Sequence, residues 1–276
     1  MELLDEKFYG QLTNVLKQVR INNLFARSVI EKKISGQVFV DNFENPKTFY
    51  VVHPYGMSLL FGDSQNAEFN NKFLEYSLNS NKIRDNYEWM QAYPGDWDKV
   101  LSELFSNRMI KAAENKEIKE SGIIELNTRI NFRFNRDKYF LNKKMILPQT
   151  CAIVRTDKKI YEEMTGSVIP SYFWNTADDF INNGIGFSLL CSKKLAATAY
   201  SAFIHNSKLE IGIETIPEFR GKGFAQLACS ALIDYCIEKD YEPVWACKLE
   251  NTGSCRLAEK LGFEVSGAIP YYRLCK

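Results

Sequence analysis

The sequence predicts a mixed α/β (α+β) protein made in two halves, and three observations carry that reading. Strand-like runs at 186–191, 195–204 and 208–215 follow in quick succession, and His205-Asn206-Ser207 is short enough to join the last two as an antiparallel hairpin. A long helical run at 223–239 comes next, with Phe224, Leu227, Ala228, Ala231, Leu232 and Tyr235 on one apolar face. The third observation is length: 276 residues is where a single core gives way to two.

In the first half, Phe8, Leu12, Val15, Leu16 and Val19 recur at helical spacing, and a second helix is expected over 23–32. Short strands are read at 37–40, 48–53 and 57–61, with Glu44-Asn45-Pro46 turning between the first two. A helix then starts near Ser64, carrying Phe69, Phe73 and Tyr76 on one face. Pro94-Gly95 breaks the chain before another helix with Trp97, Leu101, Leu104 and Phe105 aligned. From 124 to 134 the alternation is strict: Ile124, Leu126, Ile130, Phe132 and Phe134 point one way, and Glu125, Asn127, Arg129, Asn131 and Arg133 the other. That is a long half-buried strand. The polar, basic stretch 135–144 leads to Pro148, so the expected domains are 1–145 and 146–276. The second half opens with a strand at 151–155 and short helical pieces at 158–164 and 178–182, and closes with a strand at 243–248, a helix at 252–261 and a strand at 263–272.

Composition excludes several classes. Acids and bases nearly cancel, for a formal net charge of +1, so no whole-molecule field attracts nucleic acid or an anionic membrane. The acidic N-terminus is unlike a signal peptide, and no apolar run reaches membrane-spanning length. Seven cysteines, all after residue 150 and without CxxC spacing, read as free thiols in a reducing, cytoplasmic compartment. The two histidines, His53 and His205, lack the partners of a zinc site or a catalytic triad; no metal site is expected.

The most informative segment is Arg220-Gly221-Lys222-Gly223-Phe224-Ala225-Gln226, which follows a strand and opens the long helix. Glycines at 221 and 223 permit positive φ and close backbone approach. The unpaired N–H groups and dipole of the helix start favour an anion, and Arg220 and Lys222 add charge. The bland alternative is a tight turn with solvated basic residues. A Walker loop is absent, and a Rossmann fingerprint would need glycine where Gln226 stands. Downstream, Asn251 is a good helix N-cap and Gly262 a good C′ residue, with Phe263 packing back.

Arg220-x-x-Gly223-x-Ala225 resembles the (Q/R)-x-x-G-x-(G/A) acetyl-CoA motif of the GNAT N-acetyltransferases, and Asn251-x-x-Ser254-x-x-Leu257-Ala-Glu-Lys-Leu-Gly262-Phe263 is similar to that superfamily's second cofactor element. With Ile213-Glu-Thr and Trp245, the combination looks most like the zwittermicin-resistance-type subgroup. The resemblance is strong over 185–265 and weaker elsewhere. It implies a GNAT-like mixed, mostly antiparallel sheet flanked by helices, preceded by a divergent, degenerate GNAT-like domain that shapes the acceptor site.

The implied activity is N-acetylation of a small-molecule or peptide-like amine by direct attack on the thioester of acetyl-CoA. The alternatives are a non-catalytic acetyl-CoA-binding sensor and a protein or peptide N-acetyltransferase. The resemblance also leaves a homodimer open. It implies cofactor contacts from Ile213, Glu214, Thr215, Arg220, Gly221, Lys222, Gly223, Phe224, Ala225, Gln226, Asn251 and Ser254. On the strand 209–215, Glu210, Gly212 and Glu214 share one face, so a glycine between two carboxylates leaves room for a ligand. Glu214 is the candidate base, the bland alternative being a strand-end cap or a pair with Arg220. The tyrosine that many GNAT enzymes use as acid, seven residues after the asparagine, is here Ala258; Tyr271 and Tyr272 are substitutes without a spacing argument.

Overall fold

The computed structural model describes residues 1–112, 122–143 and 146–276. It separates into two compact units: Met1–Arg129 with Lys248–Glu250 and Ala268–Lys276, and Ile130–Cys247 with Asn251–Gly267. The expected boundary at 145/146 adjoins residues 144–145, which lie outside the described residues. By contacts, the chain divides earlier and returns to the first unit at its end.

The first unit contains β1 (Glu2–Leu3), α1 (Thr13–Leu16), α2 (Leu24–Ile30), β2 (Gln37–Val40), β3 (Thr48–Val52), β4 (Met57–Gly62), α3 (Ala67–Ser77), β5 (Glu88–Tyr93), α4 (Asp96–Leu104), β6 (Met109–Lys111) and the start of β7 (Ile124–Phe134). The expected amphipathic first helix is partly a 3-10 helix, Glu6–Leu12, before α1. Its tighter winding shifts the buried stripe to Tyr9, Leu12, Leu16 and Val19 and turns Phe8 outward. β2, β3 and β4 pair antiparallel, α3 crosses over, and β5 lies parallel to β4. The core combines Tyr50, Leu60, Phe69, Phe73, Met90, Trp97 and Leu101 with Tyr272 and Leu274 from the end of the chain.

β7 was expected to turn its polar residues to solvent. Instead, Glu125, Asn127 and Arg129 are buried. Arg273 donates to Glu125 at 2.6 Å, Asn127 Nδ2 donates to the Glu125 carbonyl at 3.2 Å, and Arg129 donates to the Tyr271 hydroxyl at 3.4 Å. These bonds offset part of the cost of burying a polar strand face, although Asn127 Oδ1 is buried without a hydrogen-bond partner among the described residues.

The second unit holds the end of β7, α5 (Arg136–Asn142), β8 (Cys151–Arg155), α6 (Lys158–Glu163), α7 (Ala177–Asn183), β9 (Gly186–Cys191), β10 (Lys194–His205), β11 (Lys208–Thr215), α8 (Phe224–Glu238), β12 (Glu242–Lys248 up to Cys247), α9 (Thr252–Lys260) and the start of β13 (Phe263–Leu274). Its order repeats that of the first unit: three antiparallel strands β9, β10 and β11, a crossing helix α8, and β12 parallel to β11. The polar, basic stretch 135–144, for which no element was expected, contains α5, capped by Asn135, whose Oδ1 accepts from Lys138 N–H at 3.0 Å.

One feature was not visible from spacing. In the second unit the sheet neighbour of β12 is β7, and in the first unit the neighbour of β5 is β13, in the register Tyr272↔Met90 and Leu274↔Glu88. The division into units falls inside these two strands, so each half of the chain completes its sheet with a strand from the other half. Ile130, Phe132 and Tyr139 thereby sit in the same core as Leu189, Ala199, Leu209, Leu232 and Trp245.

His53 gives the first unit a pH dependence. It is fully buried, its Nδ1 accepts from Tyr55 N–H at 3.1 Å, and burial pushes its pKa down to about 3. The unfolded chain protonates near 6.5 while the folded form stays neutral. The contribution is therefore complete above pH 6.5 and is lost as pH falls towards 3, at up to about 1.4 kcal/mol per pH unit. Denaturant melts between pH 7 and 4 should show this slope, and His53→Asn, which keeps an acceptor but cannot titrate, should flatten it.

Candidate functional site

The site begins where two parallel strands part. β11 pairs with β12 at Lys208↔Glu242, Leu209↔Pro243 and Glu210↔Val244, whereas β11 continues to Thr215 and β12 to Lys248. On its other side β11 stays in register with β10 to the end, with Ile213 opposite Ala199, Glu214 opposite Thr198 and Thr215 opposite Ala197. Ile213 and Thr215 are half-buried and Glu214 is buried.

From Thr215 the chain makes a 3-10 turn, Pro217–Phe219, and enters the glycine loop. Gly221 has φ +77° and Gly223 φ +78°, both in the left-handed region that glycine adopts at least cost. A Cβ at Gly221 would have nothing within 4 Å, so conformation, not crowding, calls for glycine there. Gly223 is the N-cap of α8, and no side chain caps this helix. The first N–H groups of a helix have no partner within it, so those of α8 point at the loop with the positive end of the dipole behind them. Lys222 lies over the Phe219 ring at 5.1 Å.

Arg220, expected to add charge to the loop, turns back instead. Its Nε–H donates to the Thr215 carbonyl at 3.2 Å, and its Nη2 stands 3.5 Å from Glu214 Oε1. The pairing foreseen as the bland alternative for Glu214 is thus present. Glu214 Oε2 also accepts from Ser167 N–H at 2.8 Å, Val168 N–H at 2.9 Å and Ser167 Oγ–H at 3.3 Å. The loop supplying these donors follows α6, about 47 residues upstream by chain separation.

The room expected over Gly212 is filled. A Cβ there would lie 2.5 Å from the ring of Tyr200, which is buried on β10 directly opposite. No room for a ligand therefore remains above Gly212.

Asn251 caps α9, its Oδ1 accepting from Ser254 N–H at 3.1 Å, and Ser254 Oγ accepts from the Trp245 indole N–H at 3.1 Å. Both side chains thus have structural employment. Cys255 lies 3.5 Å from Cys247, sulfur to sulfur, and burial first and Cys247 second push its thiol up to about 12, so it is not a ready nucleophile. Ala258 is buried in the core. Tyr271 and Tyr272 both belong to the first unit, Tyr271 packed at a tilt against Trp89, ring centroids 5.1 Å apart, and Tyr272 in the core. Gln226 also lines a groove of about 540 Å³ with Leu141, Asn142, Arg256, Glu259 and Lys260. Sequence reasoning missed that groove because α5, which it did not expect in the polar stretch 135–144, forms one of its walls. Among the described residues no group of histidines, cysteines and carboxylates could hold a metal ion.

A family model described as GNAT acetyltransferase matches residues 14–272. The chain belongs to that family. It is an N-acetyltransferase by family, an acyltransferase enzyme, and the usual acetyl donor of such enzymes is acetyl-CoA. A curated relative from Bacillus subtilis (strain 168), named "Uncharacterized N-acetyltransferase YdfB", is 26% identical over 266 residues, covering 96% of this chain and 95% of that protein.

Among solved structures, the GCN5-related N-acetyltransferase-like protein from Streptococcus suis has a TM-score of 0.69 at 18% identity, over 98% of this chain and 100% of that one. A tandem GNAT protein from the clavulanic acid biosynthesis pathway has a TM-score of 0.61 at 10% identity, over 99% and 97%. These likenesses concern the fold, and the tandem one agrees with the repeated strand–helix order of the two units.

The units differ where the donor motif would be. After β4 the chain reads Gly62-Asp-Ser-Gln-Asn, and α3 is capped by Asn66, whose Oδ1 accepts from Phe69 N–H at 3.0 Å. A capped helix start beside Asp63 offers no anion cradle.

Proposed function

We propose that this chain transfers the acetyl group of acetyl-CoA to the amine of a small-molecule or peptide-like acceptor by direct attack on the thioester. The observation that carries the reading is the uncapped start of α8 behind two positive-φ glycines, beside the point where β11 leaves β12. A pyrophosphate fits this place by charge and by the open space at Gly221.

In this reading, backbone N–H groups from Gly221, Lys222, Gly223, Phe224, Ala225 and Gln226 hold the pyrophosphate, and the groove beside Gln226, with Arg256 and Lys260, takes the nucleotide end. The backbone of Ile213, Glu214 and Thr215, past the last pair with β12, orients the pantetheine arm. Asn251 and Ser254 contribute by fixing the start of α9. Acetyl-CoA supplies the acetyl group already activated as a thioester. A main-chain N–H directed at the carbonyl oxygen is worth a few kcal/mol as charge develops there, roughly 2.7–4 in the clearest cases. A thiol with a reference pKa near 8.5 leaves without a strong acid, which accommodates Ala258 at the tyrosine position.

The motifs at 213–215, 245 and 257–263 support placing the chain in the zwittermicin-resistance-type subgroup. All seven cysteines are free, which fits a reducing cytoplasm. No described helix is long and apolar enough to cross a membrane.

The test is thiol release from acetyl-CoA by the full chain over a panel of primary amines. Amine-dependent release is expected. Tight acetyl-CoA binding with no release for any amine would favour a sensor, and no binding would overturn the reading.

A further inference from the structure

The mechanism above gives the buried Glu214 side chain no task. Glu214 carries its carboxylate at the end of β11, under the loop at 166–168, of which Gly166 and Ser167 are exposed. Five donors converge on it: Ser167 N–H, Val168 N–H and Ser167 Oγ–H on Oε2, and Thr215 N–H at 3.1 Å with Arg220 Nη2 at 3.5 Å on Oε1. A carboxylate has about four lone-pair sites, so this one is filled by its own protein. A general base needs a lone pair free to face the proton that it takes.

The loop is shaped to the carboxylate. Gly166 has φ +154°, and a Cβ there would come within 2.5 Å of Glu214 Oε2 and 2.6 Å of its Cδ. The backbone therefore lies flush on the carboxylate, and two successive N–H groups point at one oxygen. Through its other oxygen Glu214 reaches Arg220, which also holds the Thr215 carbonyl and leads directly into the glycine loop.

We propose that Glu214 is a positioning residue: it pins the 166–168 loop over the end of β11 and, through Arg220, ties it to the phosphate-binding loop. Resting on the donor site proposed above, this makes the loop one wall of the space in which the acceptor amine meets the thioester. The pinned loop then sets how the amine approaches, and the proton leaves the amine by water and not to Glu214.

The experiment compares wild-type full chain with Glu214→Gln, Glu214→Ala and Glu214→Met. Gln keeps a carbonyl oxygen for the two loop N–H groups, Ala removes it, and Met fills the space without an acceptor. Amide hydrogen exchange, measured without ligand, reads the latch itself. Exchange at Ser167 and Val168 should accelerate about tenfold or more in the Ala and Met variants, and Gln should restore most of the protection. The acidic limb of the pH–rate profile for thiol release from acetyl-CoA, with whichever primary amine the wild type accepts, should keep its midpoint in Glu214→Gln.

Unchanged exchange at Ser167 and Val168 in both the Ala and Met variants would overturn the proposal. So would loss of the acidic limb in Glu214→Gln, which would make Glu214 the base after all. Exchange needs no acetyl-CoA, so failure of the donor-site reading would show as absent binding while the latch is judged separately.

Discussion

A fragment beginning at Pro148 should not fold, although it contains the whole glycine loop of the proposed acetyl-CoA site. The second unit begins at Ile130, and its sheet places β7 beside β12. Cutting at 148 removes Ile130, Phe132 and Tyr139, all in the core that α8 covers. It also removes the Tyr139 hydroxyl bond to Asp234 at 2.8 Å and the Lys143 pair with the same carboxylate at 2.6 Å.

Burial of each of those three side chains is worth roughly 2–3 kcal/mol. Their sum is comparable with the whole stability of a typical domain, about 5–15 kcal/mol. The loss also leaves β12 as a raw edge, which favours aggregation. Denaturant titration followed by far-UV circular dichroism should show no cooperative transition for 148–276. A fragment of 122–276, which restores β7 and α5, should regain one. A cooperative transition in the shorter fragment would mean that β7 is dispensable to the second unit.

The second large effect is expected at the glycine loop. Gly223→Glu puts a carboxylate where the proposed pyrophosphate sits and a Cβ on a residue at φ +78°. The backbone strain costs about 1 kcal/mol, which a half-buried loop position tolerates. Charge repulsion and the filled cradle should weaken acetyl-CoA binding about a hundredfold or more, equivalent to ~3 kcal/mol. Gly223→Asn separates the two causes, because asparagine accepts the left-handed region and brings no charge. Calorimetric titration should rank the affinities as wild type, then Asn, then Glu, with thermal midpoints close together. Undiminished binding by a folded Gly223→Glu chain would remove the loop from the donor site.

The second half was legible because its signals are local. Strand alternation, the short turn at 205–207 and the glycine loop each occupy a few consecutive residues, and β8, β9 and β11 lie where the pattern places them. β5 was missed because Glu88 and Gln91 interrupt its apolar pattern. Glu88 is buried only because the Tyr50 and Tyr76 hydroxyls donate to it and Arg84 stands 3.6 Å away, partners scattered along the sequence. The placement of β13 beside β5 and of β7 beside β12 is also a long-range fact, invisible to any window of residues.

At the site the same division holds. The glycines announced their positive φ, but nothing near Glu214 in sequence announces Ser167 and Val168, and nothing near Gly212 announces that Tyr200 fills the space above it. Local chemistry singled out the glycine loop as the proposed donor site. The acceptor side depended on contacts that only the folded chain brings together.

The most direct test of the donor site is an amide-exchange footprint of the full chain with and without saturating acetyl-CoA. The account predicts slowed exchange concentrated at 221–226, with a second protected stretch at 213–215 on β11. Protection confined to other segments, such as the capped start of α3 in the first unit, or no protection at a concentration where calorimetry shows binding, would contradict it.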